Sequence, residues 1–459
     1  MIDITRKLVT RQVGHEQTLE AALRYLEEHP EIGRREKIAL LCEVALRLER
    51  AGDYGRACEA LRDVWGGPGS EPEVTGLDEK TATRVYLRSG YLTYRVGIGR
   101  LSPGMFEAAK NLFSEAQRRG AWSSEAEAEA INGLAQCVWR LGDCDTARML
   151  LHGVMERLEG SESEQLCYAV VILGNVEWSD GRAQEAVSLL SSRAGLFHDG
   201  RSHALLARYE SALGQALHLA GEVETALATH ERAGRHFAAA GDVRQSGRMD
   251  NNVGYGLAAL NRHAEAAEYF SSAREKFVEV GDGVAAACVD DSEAQSCIAQ
   301  RQYGKAETLA ARAVDALAGT DHAAAYVEAL TTCGRALGRA GKLADASARF
   351  ERALEVALDK LGTDSAARVK EAYREEVIIA LFSEPFSDPG MTYYTARHTV
   401  ERALIRKAML ECKGVQRQAA FKLGMLPEAL RQLLRGTHKE ITDELNGKQL
   451  SASARVTAR

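Results

Sequence analysis

The sequence predicts an all-α protein, an α-solenoid of about eight helical hairpins followed by a small helical domain. Small residues return in a fixed frame at intervals of about 40 positions. Such a period is typical of arrays in which each hairpin packs on its neighbours. None of the seven prolines falls between residues 104 and 384, so no proline interrupts a helix there.

The clearest hairpin covers residues 213–233, with the sequence LGQALHLAGEVETALATHERA. We expect Gly214 to let the first helix approach its partner, and Gly221 to end that helix. Ala226 and Ala233 then share one face of the second helix. The alanine frame recurs, with steps of 51, 39, 39, 40, 40, 40 and 40 residues, at Ala57, Ala108, Ala147, Ala186, Ala226, Ala266, Ala306 and Ala346.

Two further positions follow the same frame. Five residues before the alanine stands the turn residue, which is Gly52, Gly142, Gly181, Gly221, Asn261, Arg301 or Gly341. Seven residues before the turn stands a small residue of the first helix, which is Ala45, Ala135, Gly174, Gly214, Gly254, Ala294 or Gly334.

These residues resemble those of the tetratricopeptide repeat (TPR) family over about residues 35–360. The resemblance is carried by Leu213, Gly214, Gly221, Ala226 and Ala233, and again by Gly254, Ala266, Phe270 and Ala273. The usual TPR is shorter, at about 34 residues, so the longer period implies longer helices. The chain is similar to the variant found in bacterial sensor domains and kinesin-light-chain-like arrays.

The remaining segments fit around this array. Residues 1–34 form an N-terminal region whose amphipathic helix, 17–29, ends at Pro30 and caps the first repeat. The array occupies residues 35–382 and ends with a helix at 365–382. Within it, residues 66–77 form a Gly/Pro/Ser loop and residues 97–104 an extended turn. A linker at 383–396, a helical domain at 397–440 and a polar tail at 441–459 follow.

Charge is distributed unevenly along the chain. Residues 391–459 contain 13 Lys and Arg against 6 Asp and Glu, a net charge of +7, whereas the preceding residues contain 45 and 59, a net charge of −14. A basic module on an acidic body indicates a polyanionic partner for the C-terminal part alone.

The sequence favours a cytoplasmic protein that contacts no membrane. No apolar run reaches the roughly 18 residues of a membrane span, and the N-terminus lacks the apolar core of a signal peptide. The nine cysteines lie in helical patterns without a C-x-x-C pair, which indicates reduced core residues.

The basic C-terminal domain contains the pattern of a helix-turn-helix. Thr399 caps a first helix, Gly414 ends it, residues 415–423 form a short helix, and Pro427 begins a third. The residues resemble the Fis-type helix-turn-helix found at the C-terminus of many bacterial transcription activators. The matching positions are Glu401, Leu404, Ile405, Ala408, Gly414, Ala419, Ala420, Leu423, Gly424, Leu430 and Leu434, and Met409 adds to the apolar face of the first helix.

This resemblance implies DNA binding, but the recognition helix departs from the family pattern. Leu426, Pro427 and Ala429 stand where polar, Arg and Thr side chains usually contact DNA, and Glu428 repels phosphate. Phosphate contacts would fall to Arg417, Lys422, Arg431, Gln432 and Arg435. The alternative interpretation is a docking or dimerisation unit whose positive charge is a solvated face.

The resemblance to TPR arrays also implies a groove lined by the first helix of each hairpin. Groove positions fall 10, 6 and 3 residues before the turn, where asparagine and glutamine recur. An amide can pair with both the N–H and C=O of an extended peptide. The predicted partner-binding residues are Asn132, Gln136, Asn175, Gln215, Arg248, Asn251, Tyr255, Gln295 and Arg335, with the two arginines for an acidic group. The alternative is solvated polar residues on an exposed face.

No catalytic or metal-binding motif accompanies these surfaces. The chain contains no phosphate-binding loop, no H-E-x-x-H, no G-x-S-x-G and no Cys/His zinc spacing. His218, His230 and His236 lie on neighbouring helices, where we interpret them as surface residues. We therefore expect a protein that is not an enzyme and needs no cofactor or metal.

Two functions remain open from the sequence. In the first, the chain is a bacterial regulator whose array receives a protein, peptide or small signal, and whose C-terminal domain engages DNA as a homodimer. In the second, the chain is an interaction scaffold with a degenerate helix-turn-helix used for docking. A regulatory subunit of an enzyme is a third, weaker alternative.

Overall fold

The computed structural model describes residues 18–383, apart from 101, 121–122 and 199, and residues 401–442, apart from 403, 410, 413, 424 and 440. In these ranges the regular structure is helical, except for one antiparallel bridge between Trp65 and Pro72 in the predicted loop. The prediction of an all-α fold is therefore confirmed.

Eight helical hairpins follow a first helix, α1, and precede a last one, α18. The repeats 1 to 8 are the pairs α2/α3 to α16/α17. In chain order, α1 to α18 occupy Thr18–Glu28, Arg34–Arg50, Tyr54–Ala60, Glu79–Arg100, Pro103–Gly120, Ser124–Arg140, Cys144–Arg157, Glu164–Ser179, Ala183–Ser192, His203–Leu219, Val223–Ala239, Val243–Ala259, His263–Glu279, Gly283–Ala299, Tyr303–Leu317, Ala323–Arg339, Leu343–Lys360 and Thr363–Ser383.

The chain forms two compact units, Met1–Thr332 and Cys333–Arg459. In the first unit each helix contacts the next one along the chain, as a stack of hairpins requires. The predicted domain boundaries stay predictions, and the linker predicted at 383–396 lies outside the described residues except for Ser383.

The 40-residue period follows from helix length. In repeats 5 and 6 the four helices α10 to α13 each contain 17 residues, and three-residue turns separate them. The helices are therefore long enough to account for a period greater than that of the usual TPR.

The predicted turn residues all adopt the left-handed backbone conformation. The φ angle is +87° at Gly221, and even the two non-glycine members, Asn261 and Arg301, have a φ of +60°. At Gly221 the turn forms two closing hydrogen bonds, from the Gly221 N–H to the His218 carbonyl and from the Glu222 N–H to the Leu217 carbonyl. This bonding satisfies carbonyls that the end of α10 would leave unpaired.

The alanine frame forms the core of the hairpins. Seven of the eight predicted alanines are buried, and Ala226 is 1% exposed. The prediction was wrong for Ala108, which is half-buried, because its neighbour Ala109 is the fully buried residue. The longer first helix of repeat 2 shifts the frame there by one position.

Glycines of the first helices allow close helix contact. A Cβ atom at Gly254 would lie 2.8 Å from the Phe270 ring, and one at Gly174 would lie 2.9 Å from Leu190. The extended turn predicted at 97–104 was wrong, because α4 continues to Arg100. Gly97 instead packs in the helix against Phe106, where a Cβ would lie 2.8 Å from the ring.

The C-terminal helices form their own apolar core. Helical residues 404–409 precede α19, Gln416–Lys422, and α20, Pro427–Arg435. Gly414 has a φ of +82° and Pro427 begins α20, as predicted. The core consists of Ile405, Ala408, Met409, Ala419, Ala420, Leu430, Leu434 and Ile441.

One predicted core residue of this domain is wrong. Leu404 is 41% exposed, since Ile405 rather than Leu404 faces the other helices. Thr399 and Gly424 lie outside the described residues.

Candidate functional site

The first helices of distant repeats meet in the first unit. Arg50, at the end of α2, pairs with Glu164, at the start of α8, with Nη2 and Oε2 2.8 Å apart. A Cβ atom at Gly52 would lie 2.9 Å from the carboxylate of Asp242, the residue that caps the start of α12. Repeats 1 and 6 therefore touch. We call the surface formed by the first helices α2, α4, α6, α8, α10 and α12 the inner face.

The arginines on the helices of the inner face include Arg95, Arg140, Arg208 and Arg248. Among the residues that the structure describes, none of the four has an ion-pair partner. The Nε atoms of Arg95 and Arg208 are buried without a hydrogen-bond partner in the described chain. We call these four residues the arginine cluster.

Arg248 lies close enough to Arg95 and Arg140 for their charges to act on it. Burial among neighbouring atoms is the largest cause that lowers the pKa of its guanidinium, and the charges of Arg140 and Arg95 lower it further. The Arg248 side chain is nevertheless accessible to solvent. A side chain that projects into a hollow lined by protein and open to water has both properties.

Aromatic rings orient two members of the cluster. The Arg95 guanidinium lies 5.6 Å from the centre of the Tyr54 ring. Arg140 Nε donates to the Tyr94 hydroxyl at 3.5 Å, and its guanidinium lies 4.1 Å from the centre of the Trp139 ring. Such contacts hold a cation without neutralising it.

The predicted amides are distributed along the same helices. Gln136, Asn175, Gln215 and Asn251 are half-buried, whereas Gln295 is exposed. The Asn251 Oδ1 atom is buried and has no hydrogen-bond partner among the described residues.

Several of these amides already have a partner within the array. Asn175 Oδ1 accepts a hydrogen bond from Trp178 at 2.9 Å, and Gln295 donates to Asp291 at 2.8 Å. Of the five groove amides other than Asn132, Gln215 and Asn251 are thus the two whose side chains form no hydrogen bond within the described chain.

Asn132 does not lie on the groove surface. It is fully buried, and its Nδ2 donates to the Gln165 carbonyl at 2.9 Å and to the Gln165 side chain at 3.1 Å. Its amide joins repeats 3 and 4, so the prediction of an accessible contact residue is corrected. Tyr255, in contrast, is 47% exposed beside the His218 ring.

Arg335 belongs to the second unit and pairs with Glu375 there at 3.4 Å.

Of the arginine cluster, sequence reasoning identified Arg248 and missed Arg95, Arg140 and Arg208. Arg208 and Arg248 stand one 40-residue period apart, and Tyr168 stands one period before Arg208. This 40-residue recurrence is the sequence signal that could have identified the position, because the position is neither a turn residue nor a core residue of the repeat frame.

The predicted DNA-contact residues lie in or beside α19 and α20. Lys422 pairs with Glu411 at 2.6 Å, and Arg431 pairs with Glu428 at 2.8 Å. Arg417, Arg435 and Gln432 are exposed, and the two arginines have no ion-pair partner among the described residues. Two cations of this surface are therefore directly available to phosphate.

The same surface exposes large apolar side chains. Phe421 is 88% exposed and Leu426 is 75% exposed. With Met425 and Pro427 they line a shallow depression bordered by Arg417. Exposed apolar clusters of this kind are typical of contact surfaces for other macromolecules.

The described residues lack two other kinds of feature. No described helix combines the length and hydropathy that a membrane span requires. No three described His, Cys, Asp or Glu side chains group as metal ligands.

Solved structures with a similar fold are all-α repeat proteins. A Rap protein complexed with competence and sporulation factor covers 82% of this chain and 97% of its own length, with 11% identity and a TM-score of 0.51. The apo form of RapI covers 80% and 98%, with 12% identity and a TM-score of 0.50. No protein-family model and no curated protein matches the sequence. The chain is thus an all-α solenoid of TPR-like helical hairpins.

Proposed function

We propose that this protein is a regulator that acts by binding rather than by catalysis. Its array receives a protein or peptide on the inner face, and its C-terminal domain contacts DNA. The observation that carries the proposal is the inner face, where unpaired arginines and half-buried amides lie on the first helices of five repeats, 2 to 6. Leaving such groups without hydrogen-bond or ion-pair partners does not stabilise the fold.

Amides suit the backbone of an extended peptide. A side-chain amide offers one acceptor and two donor hydrogens, which match the C=O and N–H of one peptide unit. Gln215 and Asn251, on α10 and α12, have no hydrogen-bond partner in the described chain, so a ligand can use them. The Rap structure, solved with competence and sporulation factor, is an example of this fold with a ligand.

A peptide-display experiment with the full-length protein tests the array. We expect selected peptides to bind the Gln215→Ala/Asn251→Ala variant at least tenfold more weakly, because each lost amide pair contributes about 1 kcal/mol. Asn111→Ala, an exposed amide on a second helix, is the matched control and should bind as the unmodified chain does. Equal binding by the double variant would reject the inner face as the site.

The C-terminal domain supplies the DNA contact in this proposal. Arg417 and Arg435 contact phosphates, while Lys422 and Arg431 must first leave Glu411 and Glu428. Binding as a homodimer would double these contacts, and the cytoplasm is the compartment in which DNA is available. The resulting contact is electrostatic and reads few bases.

Retention on a DNA column at increasing salt tests this second part. We expect Arg417→Ala/Arg435→Ala to elute at lower salt and to reduce the salt slope by about two. The control is Arg235→Ala, an exposed arginine on α11. If the unmodified protein is not retained on the DNA column at low salt, DNA binding is refuted and the array proposal is unaffected.

A docking role for the C-terminal domain is the second candidate function, favoured by the exposure of Phe421 and Leu426. If docking joins two copies of the chain, Phe421→Asp should abolish self-association in light scattering and leave DNA retention unchanged. If the exposed apolar residues serve DNA contact instead, the variant should lose retention as well.

A further inference from the structure

The arginine cluster is positively charged, whereas the part of the chain that contains it has a negative net charge. Residues 1–390 carry a net charge of −14, yet the inner face presents four arginines without ion-pair partners among the described residues. The charges of Arg140 and Arg95 lower the pKa of Arg248, so holding Arg248 beside them costs folding free energy. An anion bound between them would remove this cost.

Two acidic groups that act on Arg95 are already engaged in other contacts. After Tyr54 and Tyr94, Glu49 and Asp242 raise the pKa of Arg95 through space. Glu49 Oε2 accepts a hydrogen bond from Arg88 at 2.9 Å, and the Asp242 carboxylate accepts one from the Gln245 N–H at 3.0 Å. Neither forms an ion pair with a member of the cluster, although both favour the charged form of Arg95. The guanidinium groups thus remain available for direct contact with an anion.

We propose that the arginine cluster is the part of the inner face that recognises acidic side chains of a bound peptide, and this proposal rests on the proposed function of the array. A guanidinium pairs with a carboxylate through two parallel hydrogen bonds, which gives direction as well as charge. The ligand is therefore an extended peptide segment with several Asp or Glu residues.

The position of the amides favours a peptide over a small oxyanion. Arg248 and Asn251 are three residues apart on α12 and so lie on one face of the helix. On α10 the same relation holds for Arg208 and Ser211, one period earlier. A carboxylate contact and a backbone contact thus stand side by side, as an extended acidic chain requires.

Titration calorimetry with the full-length protein tests this assignment. The probes are a hexaglutamate peptide, a hexaglutamine peptide and inorganic phosphate at one ionic strength. We expect hexaglutamate to bind, hexaglutamine not to bind, and phosphate to compete only at far higher concentration. The Arg140→Gln/Arg248→Gln variant should bind hexaglutamate at least tenfold more weakly, whereas Arg235→Gln should bind it unchanged.

A second measurement separates recognition from a structural role. Without ligand, the double variant should unfold at the same temperature as the unmodified chain or at a higher one, because repulsion is relieved. A lower unfolding temperature would assign these arginines to the structure and overturn the proposal.

Other results would also overturn it. Hexaglutamate that fails to bind, or that binds the double variant equally well, would reject the acidic peptide. Phosphate that competes at equal concentration would indicate a site for small oxyanions. If display peptides still depend on Gln215 and Asn251 in any of these cases, the array binds peptides of another composition and the proposed function stands.

Discussion

At the scale of single residues, His230 departs most from its expected environment. The sequence suggested a surface histidine, but the side chain is 3% exposed and packs against Gly214, where a Cβ would lie 2.7 Å from Nδ1. The equivalent residues that face Gly254 and Gly334 are Phe270 and Phe350. His230 thus fills a position that repeats 6 and 8 give to a phenylalanine ring and repeat 4 gives to Leu190.

This burial makes stability depend on pH. Burial, followed by the charges of His218 and Arg248, lowers the pKa of His230 from 6.5 to about 4. Between these pH values the unfolded histidine takes up a proton and the folded one does not. The folded state therefore loses stability as pH falls from 6.5 towards 4 and is not penalised above 6.5.

We predict that His230→Phe removes this pH dependence. At pH 5 the penalty amounts to about 2 kcal/mol, from 1.36 kcal/mol for each unit of pKa. The stability gain of the variant in urea unfolding should therefore be about 2 kcal/mol larger at pH 5 than at pH 7.5. His152→Gln, at an exposed position, should show no such difference. A gain independent of pH would mean that His230 is protonated inside the fold.

Residue-scale predictions were correct where the place in the repeat frame determines the backbone conformation. The turn position adopts a positive φ in each of the seven repeats for which it was predicted, even where Asn261 or Arg301 replaces glycine. Polar residues were harder to place. Asn132 proved to be a buried connector rather than a groove residue, because an amide serves either purpose and the sequence does not state its depth.

At the scale of helices, glycine has two opposite effects in this array. Gly254 lies where a Cβ would come 2.8 Å from the Phe270 ring and 3.2 Å from the Ala266 carbonyl oxygen. Gly153, inside α7, has nothing within 4 Å of a Cβ placed there. Gly254 permits close contact between helices, whereas Gly153 only lowers the stability of its own helix.

Alanine substitution should therefore change stability in opposite directions at these two positions. We predict that Gly254→Ala lowers the free energy of unfolding by about 1–3 kcal/mol through overpacking. Gly153→Ala should raise it by about 0.5–1 kcal/mol, because alanine favours the helix. Both changes are measurable as shifts of the urea midpoint. A destabilised Gly153→Ala protein would contradict the open environment of that face.

Helix boundaries followed closely from the sequence wherever a turn residue was present. The capping helix predicted at 17–29 occupies Thr18–Glu28. Repeat 2 was less predictable, because Gly97 was interpreted as part of a turn and instead allows contact with Phe106. A glycine alone does not distinguish a chain reversal from a close helix contact.

At the scale of the molecule, the first unit and the C-terminal helices are expected to act separately. We predict that deleting residues 384–459 abolishes retention on DNA without changing the urea midpoint of the first unit, since the core of residues 18–332 is internal to that unit. Circular dichroism provides the fold control. Retention that survives the deletion would place DNA binding on the repeats.

The repeat fold could be predicted from the sequence, but the arginine cluster could not. A period describes how each hairpin meets the next one. Contact between positions as distant as Gly52 and Asp242 depends on the accumulated rotation from hairpin to hairpin, which no local pattern encodes. Arg95, Arg140 and Arg248 became a group once that rotation was known.

The contact between Gly52 and Asp242 also affects how quickly anything enters or leaves the hollow. A segment held behind that junction must wait for two turns to part before it can escape. We therefore expect a bound segment to dissociate slowly, at a rate set by fluctuations of the first six hairpins. Even a segment with weak contacts would then have a long residence time.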